Sequence, residues 1–226
     1  KKCISVFGYD PKSYKDFPYK NRNLDIQDRF IRSIYKNSYR VIVPSFKKRK
    51  NYDNIIYINP IVRNLNKTKK KINNSILIML GGSDYGLDLA QKIIKLNKRN
   101  KENLILFGGT KKISKTHYVK FNEKFLDYLN AAKGIITLAG NLTLSEALIM
   151  KKPILVFPIK NHVEQQLNAY NLRDYIMIGD DVGKSLNDFI NNIKNLKRIA
   201  NKYNIKDNGA KQIVDIIYKL KWYGFY

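Results

Sequence analysis

Residues 134–157 read GIITLAGNLTLSEALIMKKPILVF, and this stretch decides the fold class. Two apolar runs, Gly134–Leu138 and Pro153–Phe157, flank a segment with a helical pattern, Thr143–Met150. Both runs are continuously apolar rather than alternating, which is typical of strands buried on both faces of a parallel sheet. Strand, helix and second strand form a βαβ unit, so the stretch predicts an α/β domain.

The same pattern extends in both directions along the chain. Six further apolar runs predict strands at Cys3–Phe7, Tyr39–Pro44, Ile55–Ile58, Ser75–Leu80, Asn103–Phe107 and Tyr175–Ile178. Amphipathic segments predict helices at Leu24–Lys36, Leu87–Lys98, Glu123–Ala132, Val163–Leu172, Leu186–Ala200 and Ala210–Lys221. Strands that alternate with helices in this way predict an α/β fold with a Rossmann-like, doubly wound parallel sheet.

The composition excludes several classes of protein. A chain of 226 residues is long enough for one sizeable α/β domain. The single cysteine, Cys3, excludes an intrachain disulfide and a cysteine-based metal cluster, and the two histidines argue against a histidine-rich metal site. No apolar run reaches the roughly 18–20 residues that span a bilayer. A cytoplasmic location is therefore expected.

The net charge of +25 indicates an anionic partner. Nucleic acid, an anionic membrane surface and a phosphorylated substrate each fit such a charge. Much of it is lysine in a background rich in Asn, Ile and Tyr, a bias that genome composition alone can produce. Two basic runs, Lys47–Lys50 and Lys67–Lys71, are typical of solvated connections, and the alternative is a patch that faces a membrane or a phosphate.

A glycine-rich turn, Gly81-Gly82-Ser83, follows the predicted strand that ends at Leu80. Glycines between a strand and a helix let backbone N–H groups approach a phosphate, and a helix N-terminus favours an anion there. The alternative is a tight turn that needs only positive φ. The spacing is not G-x-G-x-x-G and no Lys-Ser/Thr follows, so a dinucleotide or P-loop site is not indicated.

The helix that follows Gly140 offers a second group of candidate site residues. Thr143 is a plausible N-cap with Glu146 three residues later, and this spacing forms a capping box with a purely structural role. The functional alternative places a diphosphate against the N–H groups of the helix start, Gly140, Leu142 and Thr143. The Glu146 carboxylate would then accept hydrogen bonds from vicinal ribose hydroxyls.

The helix predicted at Val163–Leu172 carries polar residues in its first turn. Glu164 and Gln165 have tips that can hydrogen-bond sugar hydroxyls, while the structural alternative is an acidic first turn that complements the helix dipole. His162, just before the helix, is interpreted as a residue that positions the loop rather than as a base.

Together these segments resemble the C-terminal half of GT-B glycosyltransferases. Within that class they are similar to the bacterial N-acetylglucosaminyltransferases that complete the lipid-linked peptidoglycan precursor, and to archaeal relatives. Gly81-Gly82-Ser83 resembles the phosphate loop, and the segment from Ala139 to Ala147 resembles the motif whose Glu holds the ribose. Glu164-Gln165 with Asn168 resembles the motif that grips the donor sugar, although position 164 departs from the usual Gln or Asp.

The resemblance extends to two further segments. Asn122 lies where the family reads uracil through backbone groups, which makes it a candidate base contact. Asn59-Pro60-Ile61-Val62-Arg63 resembles the Asn-Pro-x-x-Arg stretch at the interdomain connection.

The resemblance implies a donor-binding domain at residues 47–226 that binds a UDP-sugar without metal or cofactor. Residues 1–46 are then expected to be the last strand, helix and strand of an acceptor domain. That domain, fused or separate, would supply the catalytic base, so none is assigned. The acceptor of such enzymes is often lipid-linked at a membrane, and the two basic runs and the aromatic tail Trp222–Tyr226 are candidate contacts with an anionic surface.

Three alternatives remain open. A UDP-sugar epimerase of the same architecture would convert its substrate without an acceptor. A non-catalytic donor-binding subunit would need a separately encoded acceptor half. Nucleic-acid binding is not expected, because the strands are predicted to be buried rather than exposed with interleaved aromatic and basic residues. The sequence leaves the donor sugar, the acceptor and the stereochemical outcome open.

Overall fold

The computed structural model describes residues 3–63, 74–81, 84–109, 111–113, 116–205 and 207–222. Nine strands run in chain order, namely β1 (Ile4–Val6), β2 (Arg40–Pro44), β3 (Ile55–Ile58), β4 (Ser75–Met79), β5 (Asn103–Phe107), β6 (His117–Val119), β7 (Gly134–Thr137), β8 (Ile154–Val156) and β9 (Met177–Ile178). The helices are α1 (Pro11–Lys15), α2 (Arg22–Asn37), α3 (Asp84–Asn100), α4 (Phe125–Ala131), α5 (Asn141–Ile149), α6 (Val163–Leu172), α7 (Val182–Asn201) and α8 (Gly209–Trp222). None of the described helices is both long and apolar enough to cross a membrane.

The larger sheet has six strands in the order β6-β5-β4-β7-β8-β9, all parallel. The chain starts in the middle at β4, builds one half outward to β6, and then returns to build the other half from β7. This is the order of a doubly wound dinucleotide-binding sheet, so the predicted fold class is confirmed. Its switch point lies between β4 and β7, where ligands bind at the carboxyl ends of the strands.

Both faces of this sheet are buried, as the continuous apolar runs predicted. Along β4, Leu77 packs on one face with residues of α4 and α5, whereas Ile76 and Ile78 pack on the other with residues of α3 and α7. Residues that alternate between two cores make most positions of the central strands apolar. The strand pattern in the sequence is therefore a consequence of helices covering both faces.

Two short elements were missed by the sequence prediction. β6 has three residues, His117, Tyr118 and Val119, at the edge of the larger sheet, and contains no apolar run. α1 has five residues, too few to show a helical period, and it begins at Pro11 with Asp10 as its N-cap.

The smaller sheet consists of β1, β2 and β3, which pair in parallel in that order. β3 lies beyond residue 46, so the boundary that we predicted there divides this sheet. The physical reason is that β3 pairs with β2 from Val41↔Ile55 to Pro44↔Ile58 and completes the hydrogen bonding of that strand. Phe46, at the predicted boundary, instead packs in the core of the larger sheet.

The chain passes from the smaller sheet toward the larger one through Asn59–Arg63, and the start of α8 holds this segment. Asn208 Nδ2 donates to the carbonyl of Val62 at 2.7 Å, and its Oδ1 accepts from the Val62 N–H at 3.2 Å. The Gly209 N–H donates to the Pro60 carbonyl at 2.9 Å. A Cβ on Gly209 would lie 2.0 Å from the Asn59 carbonyl oxygen, so only glycine permits this approach.

Candidate functional site

The crevice at the switch point is built around a strained turn after β7. Ala139 is fully buried and has φ +64, a conformation that residues with a Cβ rarely adopt. Gly140 follows as the N-cap of α5, and a Cβ there would meet no atom within 4 Å. No side chain hydrogen-bonds as a cap at this helix start. A glycine N-cap leaves the first N–H groups of α5 without a capping side chain, and a helix start of this kind suits an anion.

The predicted capping box is wrong. The helix begins at Asn141 rather than after Thr143, because Gly140 is already extended, with φ −67 and ψ 138, and turns the chain directly into α5. Thr143 therefore lies within the first turn and is half-buried, while Leu142 beside it is exposed. The Oγ of Ser145 donates to the Asn141 carbonyl at 2.8 Å. Glu146 is thus free of any capping role at Thr143.

Glu146 instead forms an ion pair with Arg63. Its carboxylate is 0% exposed and accepts from Arg63 Nε at 2.7 Å and from Nη2 at 2.8 Å. The Arg63 backbone N–H also donates to it, at 3.3 Å. Hydrogen bonding to Glu146 raises the pKa of the Arg63 guanidinium, so this group stays charged. Arg63 also lies over the Phe125 ring, 5.1 Å from its centroid.

Arg63 is a site residue that sequence reasoning noted only as part of a linker motif. The pair spans 83 positions along the chain, so no local pattern indicates it. The guanidinium of Arg63 contacts the second turn of α5, and the candidate phosphate-binding N–H groups lie in the first turn of the same helix.

The glycine turn after β4 is described only at its first residue. Gly81 is exposed and has φ +72, and a Cβ there would meet no atom within 4 Å. Glycine is therefore favoured at this position by the backbone conformation rather than by a close contact. The predicted phosphate contacts of Gly82 and Ser83 lie outside the described residues.

The side chain of Asn122 is engaged locally. Its Nδ2 donates to the Lys120 carbonyl at 2.8 Å, and its Oδ1 accepts from the Lys124 N–H at 2.9 Å. The amide therefore shapes the turn before α4, which leaves only backbone groups for a base contact. The neighbouring Phe121 was not predicted as a site residue, yet its ring is 62% exposed at the carboxyl edge of β5, beside Gly108.

The start of α6 lies between the two sheets. His162 is its N-cap, with Nδ1 accepting from the Gln165 N–H at 3.5 Å, which agrees with a loop-positioning role. Gln165 Oε1 accepts from the Ile159 N–H at 3.0 Å, so in this structure Gln165 holds the preceding loop. A Cβ on Gly8, after β1, would lie 2.8 Å from Glu164 Oε1. The glycine thus lets the smaller sheet's loop close on Glu164.

Asn168 lies deeper than the sequence suggested. It is 3% exposed, and its Nδ2 donates to the Ala139 carbonyl at 3.1 Å. The residue therefore holds the positive-φ turn from which α5 starts, and it connects α6 to that turn. Asn168 therefore supports the turn from within the protein interior and does not line the exposed surface of the crevice.

The site thus joins open helix N–H groups, a buried carboxylate and one partly exposed guanidinium. Within the described residues, no group of three or more His, Cys, Asp or Glu side chains is placed to hold a metal ion. Arrangements of this kind bind a phosphorylated, hydroxyl-bearing ligand through N–H groups and paired charges.

Solved structures with the same fold include glycosyltransferases. The Arabidopsis thaliana protein UGT89C1, solved with UDP, aligns with a TM-score of 0.63 at 10% identity and covers 96% of this chain and 67% of its own. The spinosyn forosaminyltransferase SpnP aligns with a TM-score of 0.63 at 14% identity, covering 97% of this chain and 70% of its own. The fold is therefore that of the GT-B glycosyltransferases.

The sequence profile of glycosyl transferase family 1 matches residues 11–194. The chain belongs to this family. A Bacillus cereus protein named UDP-N-acetylglucosamine–N-acetylmuramyl-(pentapeptide) pyrophosphoryl-undecaprenol N-acetylglucosamine transferase 3 is 27% identical over 197 residues, 72% of this chain and 55% of its own. An uncharacterized glycosyltransferase of Methanosarcina mazei is 25% identical over 185 residues, 69% of this chain and 48% of its own. The chain spans about half the length of these relatives.

Proposed function

We propose that the chain is the donor-binding part of a glycosyltransferase that moves a hexose or N-acetylhexosamine from a UDP-sugar to an acceptor. The observation that carries the proposal is the switch-point crevice, where the open start of α5, Arg63 and Glu146 meet. Family membership and the Bacillus relative, whose name specifies a UDP-sugar donor, support the same class of reaction. They do not favour the epimerase alternative.

Each part of the donor has a counterpart in the crevice. The diphosphate lies against the first N–H groups of α5 and the turn at Gly81, and Arg63 supplies a cation. The ribose hydroxyls donate to Glu146, while the base lies near Phe121 and the backbone of Asn122. The sugar faces Glu164 and Gln165 at the start of α6, and Asn168 keeps the α5 turn in place.

The chemical role of this crevice is to stabilise the leaving diphosphate. Cleavage of the bond between sugar and phosphate places additional negative charge on the diphosphate oxygens. N–H groups that are already oriented toward those oxygens stabilise this charge without reorganisation, and the Arg63 guanidinium adds a cation close by. The proposed chemistry uses neither a metal ion nor a cofactor besides the donor substrate.

Calorimetric titration with UDP tests the proposal directly. We expect binding at sub-millimolar UDP that is the same with and without a chelator, because N–H groups and Arg63 replace a metal at the diphosphate. Absence of binding at millimolar UDP, or a strict requirement for a divalent cation, would contradict the proposed site.

We further propose that the acceptor is lipid-linked and that the protein works at the inner, cytoplasmic face of a membrane. The Bacillus relative's name specifies an undecaprenol-linked acceptor, which supports this partner. Two of the four cations in the run Lys47–Lys50 are close to carboxylates and are therefore less available to an anionic surface. Arg49 pairs with Asp10 at 2.9 Å, and Lys47 lies 4.0 Å from Asp174. Lys67–Lys71 and the last four tail residues lie outside the described residues.

The outer face of α2 has features that fit an anionic bilayer better. Phe30 is 66% exposed and Ile26, one turn away, is 49% exposed. Arg22, Arg29 and Lys36 are exposed beside them and recur every seven residues, about two helical turns. Apolar side chains for insertion and a row of cations for headgroups are the two components of interfacial binding.

Sedimentation with liposomes tests this surface. The double variant Ile26→Ser/Phe30→Ser should lose most of the binding to vesicles that contain anionic lipid, and high salt should weaken binding of the unmodified chain. Ile178→Ser is the matched control, because Ile178 is similarly exposed, at 43%, on the far edge of the larger sheet. Equal binding by both variants, or binding indifferent to anionic lipid, would exclude α2 as the contact.

A further inference from the structure

Arg63 occupies the place that the ribose needs. Both carboxylate oxygens of Glu146 accept hydrogen bonds from the guanidinium, at 2.7 and 2.8 Å, and the Arg63 N–H takes a further position on Oε1. Glu146 is 0% exposed while the Arg63 side chain is 39% exposed. The guanidinium therefore lies between the carboxylate and solvent, and no hydroxyl reaches Glu146 until it moves.

We propose that Arg63 is an exchange residue: the donor's ribose replaces its guanidinium on Glu146, and the released guanidinium pairs with the donor's diphosphate. The inference rests on the proposed function. It adds a residue that selects a nucleoside diphosphate over a nucleoside, and it assigns Arg63 two successive partners in one crevice.

The guanidinium has only a short distance to move between its two partners, Glu146 and the donor's diphosphate. Glu146 lies in the second turn of α5 and the open N–H groups lie in the first, so the partners are separated by about one helical turn, ~5 Å. A flexible arginine side chain covers that distance by changes of rotamer. The Phe125 ring, 5.1 Å from the guanidinium, offers the cation a favourable surface during the movement.

Charge compensation explains why both movements occur together. A buried carboxylate without hydrogen-bond donors is strongly unfavourable, and a partly exposed guanidinium also loses a favourable contact when it leaves its anion. A nucleoside diphosphate satisfies both groups, since its hydroxyls donate to Glu146 and its phosphates receive Arg63. Uridine supplies only the hydroxyls and must displace Arg63 with no anion in return.

The exchange therefore predicts opposite effects of one substitution on two ligands. Arg63→Ala should weaken UDP binding about tenfold or more, because the diphosphate loses a charged donor. The same variant should bind uridine about threefold or more tightly, because nothing competes for Glu146. Arg63→Lys keeps the charge but not the two parallel hydrogen bonds. This variant should also bind UDP more weakly and uridine more tightly, by smaller factors than Arg63→Ala.

The experiment titrates the full chain and its variants with UDP and with uridine by calorimetry and ligand-observed NMR. Arg173→Ala is the control, because Arg173 also lies over an aromatic ring, 4.2 Å from the Tyr170 centroid, but at the other end of α6. Its affinities for both ligands should be unchanged.

A direct readout is the Arg63 Nε–H resonance, which should move on addition of UDP and should move in the Glu146→Gln variant without ligand. If Arg63→Ala weakens the binding of UDP and of uridine by the same factor, Arg63 has only a structural role and the exchange is wrong. If UDP weakens while uridine is unchanged, Arg63 is a fixed phosphate contact and the exchange is again wrong. If the unmodified chain binds no UDP, the proposed function itself fails.

Discussion

Glu146→Ala is expected to weaken UDP binding roughly 10- to 150-fold, the equivalent of about 1.5–3 kcal/mol for hydrogen bonds to a charged group. The reason is that the two ribose hydroxyls lose a fully buried acceptor that is held at a fixed position on α5. Uridine should lose a similar factor, since the contact concerns the ribose and not the phosphates. Calorimetric titration with both ligands measures the effect.

The same variant should also lose stability, and the two losses must be separated. Removing one partner of a buried ion pair usually costs about 3–5 kcal/mol, because the other charge stays buried. Here the remaining Arg63 is partly exposed and regains water, so about 1–3 kcal/mol is expected from thermal or denaturant unfolding.

Glu102→Ala is the matched control for that variant. Glu102 pairs with Lys133 at 2.5 Å and is largely buried, on the far side of the sheet near the start of β5. This variant should lower stability while UDP affinity is unchanged. A Glu146→Ala protein that loses stability but keeps its UDP affinity would show that Glu146 serves the fold alone.

The fold was predictable because the information that specifies it is local. Each of the eight predicted strands is present, and the central strands of the larger sheet are buried on both faces, as their continuous apolar runs predicted. Helix limits were less accurate where a polar residue begins a helix. α7 starts at Val182 rather than at the predicted Leu186, because Asp181 is its N-cap and accepts from the Lys184 N–H.

The candidate site was predictable only where its residues are neighbours in sequence. Gly140, Leu142 and Glu146 could be placed at a helix start because a strand, a glycine and a helix follow one another there. The Thr143 cap was wrong because the backbone at Ala139 and Gly140 starts the helix early, which composition does not reveal. Arg63 could not be predicted as a partner of Glu146, since the folded chain alone brings these residues together.

The largest effect that we expect concerns sugar transfer. The smaller sheet has three strands, and within the described residues β1 pairs only with β2, so its other edge is open to a further strand. Among the carboxylates of the smaller sheet's loops and of α6, Asp10 binds Arg49 and Tyr57, and Glu164 is proposed to contact the donor sugar. We assign no described residue as the general base, and we propose that an acceptor-binding part supplies it.

The 226-residue chain alone is accordingly expected to bind UDP yet to transfer sugar at least a hundredfold more slowly than when it is joined to an acceptor-binding part. A missing general base accounts for roughly 10²–10⁴ in rate, and an acceptor that is not positioned beside the donor lowers the rate further. The measurement follows labelled sugar from UDP-N-acetylglucosamine into lipid-linked acceptor. It compares the chain alone with the chain fused to the half of the Bacillus relative that it does not cover. Free sugar released by each protein distinguishes slow transfer from hydrolysis. A transfer rate for the chain alone that matches the rate of the fused protein would contradict the prediction and place the base and the acceptor site within these 226 residues.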